Sequence, residues 1–230
     1  MITDRSGDRQ ALVALMLLAP VPSLGVVAAM VVAPGPIGHA IFLAAKLWLL
    51  VFPAAWYLLV DNGRFSWSPP RRGGLLVGTL SGAVMAAVIT AAASVAAVNG
   101  LDTTALETAV REMGLATPAA FLAGAAAWTL ANSLIEEYVY RWFVFRQSER
   151  LFGGPAAIWV SAGIFTAHHV IAVSRYLGPV LTLLASTGVF AGGLVWAWLY
   201  RRYRSVWPGW LSHVIADVAV FGVGWWLLFG

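Results

Sequence analysis

No cysteine occurs in the 230 residues, so neither disulfides nor thiolate chemistry is open to this chain. Charge is nearly as scarce. Charged residues make up 10% of the sequence, against about 25% in a soluble domain. Hydrophobic residues make up 60%, and the mean hydropathy is +0.81. A chain with so little charge cannot face water all round, which identifies an integral membrane protein. Its arginines are scattered in short loops between apolar runs, which excludes a nucleic-acid interface. No internal repeat and no soluble domain is evident, so residues 1–230 read as one membrane domain.

What the chain has in abundance is long apolar runs. Seven are predicted to cross the bilayer: Ala11 to Val32, Ile37 to Val60, Gly74 to Val98, Pro118 to Phe145, Pro155 to Val173, Pro179 to Tyr200 and Pro208 to Phe229. Each approaches or exceeds the roughly 20 residues that a spanning helix needs. The first run is longer than a signal-peptide core of about 7 to 15 residues and reads as a span. Between the third and fourth runs, Thr103 to Met113 fits a short interfacial helix. The predicted fold class is therefore all-α, a polytopic bundle of about seven transmembrane helices. Threading these spans with the N-terminus inside gathers Arg5, Arg9, Arg64, Arg71, Arg72, Arg146, Arg150, Arg201, Arg202 and Arg204 on one side. Only Arg111 and Arg175 fall on the other. By the positive-inside rule the N-terminus is cytoplasmic and the C-terminus outside, in a multi-pass protein of the cell membrane. The 12 tryptophans read mostly as belt or packing residues.

Against this background a few polar groups stand out. Glu136-Glu137-Tyr138-Val139-Tyr140-Arg141 sets two carboxylates and a guanidinium inside the fourth run. Each charge at bilayer depth costs roughly 2.5 to 3.5 kcal/mol on insertion scales, so such groups have a partner or a task. Glu137 and Arg141 are i and i+4 with the acid first, the better orientation for an ion pair. Glu136 lies about 100° round an α-helix from its neighbour and reads as the freer carboxylate. The fifth run adds Phe165, His168 and His169, and the seventh adds His213 and Asp217, again i and i+4. Ionisable groups from separate helices normally meet in the bundle interior or across a wet cavity. A carboxylate with imidazoles suits water activation or metal ligation. His39 and Lys46, in the second run, read as structural or snorkelling residues.

Glu136-Glu137-x-x-x-Arg141, Phe165-x-x-x-His169 and His213-x-x-x-Asp217, in that order, resemble the CPBP family (also called ABI). These intramembrane proteases are related to the CaaX prenyl-protein endopeptidase and to bacteriocin-processing and immunity proteins. The resemblance covers the half at 118–230, implies a helical bundle with a cavity open to the cytoplasmic side, and leaves the first three spans without a family signature. It implies that Glu136 and His169 activate the attacking water, that His213 and Asp217 support the oxyanion or the water, and that Glu137, Arg141 and His168 support the site. Asp217 stands where the family has Asn. An ionised Asp cannot donate a hydrogen bond, so orienting His213 suits it better than an oxyanion role. The expected partners are a membrane-associated protein or peptide substrate and the lipid bilayer, with no nucleic acid. No cofactor is predicted. If a metal is bound, zinc on Glu136, His169 and His213 is the set that the residue types allow, making the peptidase glutamic-type or metallo-type. Two other readings stay open: a catalytically silent scaffold or immunity protein of the same fold, and a proton or ion pathway.

Overall fold

A computed structural model describes residues 5–230, apart from the side chain of Arg5. Arg5 begins the first helix, and the rest of Met1 to Asp4 lies outside the described residues. The described residues form helices and connecting loops. Six segments are long and apolar enough to cross a membrane. One of them, Pro118–Val173, is 56 residues long and is two helices joined at Gly153, whose φ of 79° and ψ of 162° no helix contains. Pro155 follows, where a new helix can start without the missing N–H being felt. Counting that break gives the seven spans expected.

We label the helices α1 (Ser6–Val32), α2 (Pro36–Leu59), α3 (Leu75–Val98), α4 (Thr104–Glu112), α5 (118–152), α6 (154–173), α7 (Pro179–Tyr203) and α8 (Trp207–Phe229). Pro36, Pro118 and Pro179 open their helices, and Pro208 lies in the first turn of α8. Thr117 caps α5 by accepting from the Ala120 N–H at 3.3 Å. Helix α1 is less regular than its sequence reads. It breaks near Ala19 and Pro20, because Pro20 and Pro22 withhold donors, and it ends in a π-helical turn, Ala28–Val32. The short α4 falls where the interfacial helix was expected. Hydrogen bonds from Thr104 to Asp102 precede it and hold that carboxyl below its ordinary value.

Two pairings are the most extensive: α3 along α8, and residues 145–173 along α7. Gly78 and Gly82 make the first possible. A Cβ on Gly78 would strike the Pro208 carbonyl oxygen, and one on Gly82 would lie 2.8 Å from that of Ser212. Small residues four apart let two membrane helices approach at backbone distance. Most of the large apolar side chains that remain exposed, such as Leu43, Leu76, Val84 and Leu183, lie on the spans. In lipid, an outward apolar face is the solvated one.

The loops 61–74 and 204–206 meet the C-terminal end of α5 at one end of the bundle. Asp61 accepts from Arg150 at 2.7 Å and from Gln147 at 3.0 Å. Ser205 donates to the Ser68 carbonyl at 2.6 Å, and the Trp207 indole to that of Trp67 at 2.9 Å. Arg64, Arg71, Arg72, Arg146, Arg150 and Arg204 therefore share one end of the bundle, as the threading requires.

Candidate active site

The carboxylate helix α5 is not a regular α-helix where it matters. Two π-helical stretches, Trp128–Asn132 and Glu137–Val144, flank the four residues Ser133–Glu136. Wider i→i+5 turns displace backbone carbonyls, and π-segments recur at functional sites. Side chains take up carbonyls within them: Trp210 donates to Leu130 O at 3.2 Å, Ser161 to Tyr140 O at 2.8 Å, and Ser133 to Thr129 O.

The two glutamates are not as separate as their spacing suggested. An α-helix would aim them about 100° apart; beside the π-segment both reach the same histidine. His213 Nδ1 lies 3.2 Å from Glu137 Oε1, and its Nε2 lies 3.6 Å from Glu136 Oε2. Asp217 Oδ1 is 3.8 Å from the same Nε2. Of the carboxylates facing His213, Glu137 is the one in hydrogen-bonding contact, where the sequence spacing pointed to Asp217. Both ring nitrogens face carboxylate oxygens, which accept only, so an imidazole with both N–H groups fits best. The ring is clamped by Trp196, stacked on it at 3.8 Å and 14°, whose indole donates to Ser212 on α8 at 3.1 Å.

Arg141 and Glu137 are both fully buried, and Nε lies 3.5 Å from Oε1. That is an ion pair without hydrogen-bond geometry: the three guanidinium nitrogens and Glu137 Oε2 have no hydrogen-bond partner among the described residues. The guanidinium lies 4.6 Å from the Phe165 ring centroid and 5.4 Å from that of Trp196, an aromatic enclosure that stabilises a cation through the ring faces. Gly209 lines the other side of Glu137, where a Cβ would strike Oε2.

On the opposite flank, α6 supplies His168 and His169. The His169 Nδ1 lies 2.9 Å from the Phe165 carbonyl. A carbonyl only accepts, so Nδ1 carries the proton and Nε2 keeps its lone pair. His168 Nδ1 meets the Tyr140 hydroxyl at 3.2 Å. Ligand atoms of Glu136, His168 and His169 lie within 4.8 Å of one another. Zinc with bonds of about 2.0 to 2.1 Å would hold tetrahedral ligands roughly 3.3 Å apart. These residue types fit zinc, at the cost of drawing the side chains inward.

Glu136 is 6% exposed. Asn132, one turn earlier, donates to its Oε1 at 2.9 Å, and Lys46 on α2 donates to Asn132 Oδ1 at 2.6 Å. Lys46 is therefore not a snorkelling residue. It lines, with Glu136, His168, Pro22, Val26 and Phe42, a cavity of about 30 Å³ between α1, α2 and α5. That is room for one or two water molecules. His39, in contrast, is exposed.

Residues 118–219 match a family described as Rce1-like, the type II CAAX prenyl endopeptidases. The matched stretch, a little under half of the chain, supports the resemblance to the CPBP family of intramembrane proteases. The match takes in all three motifs, from Glu136 to Asp217, and leaves α1, α2 and α3 outside it. No curated protein and no solved structure gave a match. The Rce1-like half thus contributes the glutamates and the histidines, while two walls of the cavity, with Lys46, come from the unmatched half.

Sequence reasoning missed Trp196, Tyr140, Gly209 and the task of Lys46. Asn132 could have been placed firmly by the i,i+4 rule that paired Glu137 with Arg141, since it precedes Glu136 by four. Nothing in the order of residues marks Trp196, which reaches the site from α7.

Proposed function

We propose that this protein is an endopeptidase that hydrolyses a peptide bond of a membrane-associated protein or peptide, with water activated by Glu136 and His169. The observation that carries the reading is the meeting of a buried carboxylate, a histidine with a free Nε2 and a second, clamped histidine from three helices beside a water-sized cavity. Water bound between Glu136 and His169 gives up a proton to the carboxylate as its oxygen attacks the carbonyl. His213 stabilises the developing oxyanion by donating from Nε2. Glu137 holds His213 through Nδ1, Arg141 balances Glu137, and Asp217 faces Nε2. The collected proton then passes to the leaving amine, which completes the cleavage. The whole chain acts as one membrane domain, with 118–230 carrying the chemistry, the N-terminus cytoplasmic and the C-terminus outside. The test is a quenched farnesylated CaaX peptide offered to the purified protein in proteoliposomes. Cleavage by the wild type, lost in Glu136→Gln, is the expected result, and equal cleavage by both would overturn the assignment. Reporter fusions at Gly230 should read the outside face, and a cytoplasmic signal there would reverse the topology.

The proximity of Glu136, His168 and His169 favours a second reading, in which those residues hold zinc, with His168 in the place that the sequence reading gave to His213. When bound, zinc would supply Lewis acidity and lower the pKa of its water. We favour the direct mechanism because His213 and Glu136 already face each other with no third ligand needed. Elemental analysis of active protein with a chelation series separates the two: activity that survives chelation without stoichiometric zinc is expected, while zinc whose removal abolishes activity and whose return restores it would make the enzyme metallo-type.

A further inference from the structure

Every basic side chain of this chain other than its histidines is an arginine except one. The sequence has thirteen arginines and a single lysine, Lys46, and that lysine lies on α2, outside the matched residues. Its ammonium is an unusual guest in a span that is otherwise free of charge. It sits over the Phe42 and Trp128 rings, at 5.6 and 5.4 Å from their centroids, and its hydrogen bond goes to Asn132.

We propose that Lys46 is a positioning residue for the carboxylate of Glu136, acting through Asn132; this rests on the reading of Glu136 as the water-activating base. The chemistry of the three groups fixes their order. An ammonium has donors only and a carboxylate acceptors only, while a primary amide offers both. With Lys46 on Oδ1, the Asn132 amide can present only Nδ2 to Glu136 Oε1. Without it the amide has the carboxylate as its only anchor and is free to swing with it, so the position of Oε1 is no longer fixed. One lysine hydrogen bond therefore locks the amide, the amide occupies Oε1, and Oε2 is left for the water and His213. Lysine suits the task better than arginine because its compact charge makes a single-point contact. The same arrangement ties the first half of the chain, which carries no motif, to the reaction.

Two measurements test this. Biosynthetic labelling with lysine carrying ¹⁵N at Nζ gives one side-chain signal, because there is one lysine. That signal should move in Asn132→Leu and in Glu136→Gln and stay in place in His39→Ala; a signal indifferent to both site variants overturns the coupling, whatever the activity. The second measurement is turnover of the farnesylated CaaX peptide. Lys46→Met should lower kcat by roughly tenfold to a hundredfold, the scale of a misplaced reacting group, with KM nearly unchanged, and Lys46→Arg should recover part of it. Lys46→Cys creates the sole thiol of the chain. Alkylation with 2-bromoethylamine rebuilds a lysine analogue and should restore turnover, whereas 1-bromopropane, which restores the bulk without the charge, should not. Equal rescue by both reagents, or full turnover in Lys46→Met, overturns the proposal. A wild type that does not cleave this peptide counts against a prenylated CaaX substrate, and the lysine signal alone then decides the contact.

Discussion

The ion pairs at the loop end of the bundle and those in its interior obey opposite rules. At the loop end, Arg204 holds Glu149 with two parallel hydrogen bonds of 2.6 and 2.8 Å, and Arg150 meets Asp61 at 2.7 Å. The geometry is near ideal, and the hydrogen bonds from Arg204 to Glu149 push that guanidinium further above its ordinary value. Inside, Arg141 and Glu137 stand at 3.5 Å with their donors unmet, and His213 has three carboxylates within 3.8 Å. The well-made pairs are partly solvated and gain little from their geometry. The badly made ones are desolvated, and each member depends on the others to offset the loss of water. Good geometry marks structure here, and crowded charge held in poor geometry marks the candidate site. Desolvated charges crowded together from several helices are a common signature of a functional site.

That contrast breaks first at Glu136. Glu136→Gln should cut turnover by about 10² to 10⁴, the range for loss of a general base, while thermal unfolding changes little because the amide can still accept from Asn132. Undiminished turnover would move the base elsewhere. The neighbouring change sorts the two carboxylates. Glu137→Gln orphans a fully buried guanidinium, which typically costs ~3 to 5 kcal/mol. Denaturant unfolding should register that loss, and adding Arg141→Met should recover much of it. A stable Glu137→Gln protein would mean that the aromatic rings alone hold Arg141.

How much of this was legible beforehand follows from distance along the chain. Spans are local: hydropathy and proline positions gave all seven, including the break that Pro155 marks. Glu137 with Arg141, and His213 with Asp217, were readable because a helix brings i and i+4 together. Even there the outcome differed, since both Glu136 and Glu137 reach one histidine beside a π-segment that nothing in the residue types announces. Contacts across helices were silent. Lys46 to Asn132 spans 86 positions, and Trp196 to His213 depends on how α7 and α8 cross. Recognition of the motifs named the residues, but only packing decided which nitrogen faces which oxygen.

A smaller effect tests the cramped side of the interior. Gly209 is the floor under Glu137, and its missing Cβ is the space that Oε2 uses. Gly209→Ala should destabilise by about 1 to 3 kcal/mol, as overpacking does, and should lower turnover further by tilting Glu137 away from His213. Measuring both separates the effects: lost stability with unchanged kcat would show that Glu137 moves without carrying His213 with it.

The smallest effect belongs to the best-looking pair. Arg204 takes its backbone into the left-handed region at φ 52°, where it ends α7, and from there its side chain grips Glu149 bidentately. Seen by geometry alone this pair outranks anything in the core. Its side chains, however, keep 40% and 25% of their surface exposed. Water competes for both partners, and holding two long side chains in one arrangement costs entropy. Glu149→Gln should therefore change unfolding free energy by only ~0.2 to 1 kcal/mol, and less at high salt. Turnover should be unaffected, since Glu149 makes no contact with Glu136, His169 or His213. A loss comparable to that of Glu137→Gln would show that the joined loops act as a structural clamp on α5 and α7, and the line drawn between rim and interior would have to move outward to include them.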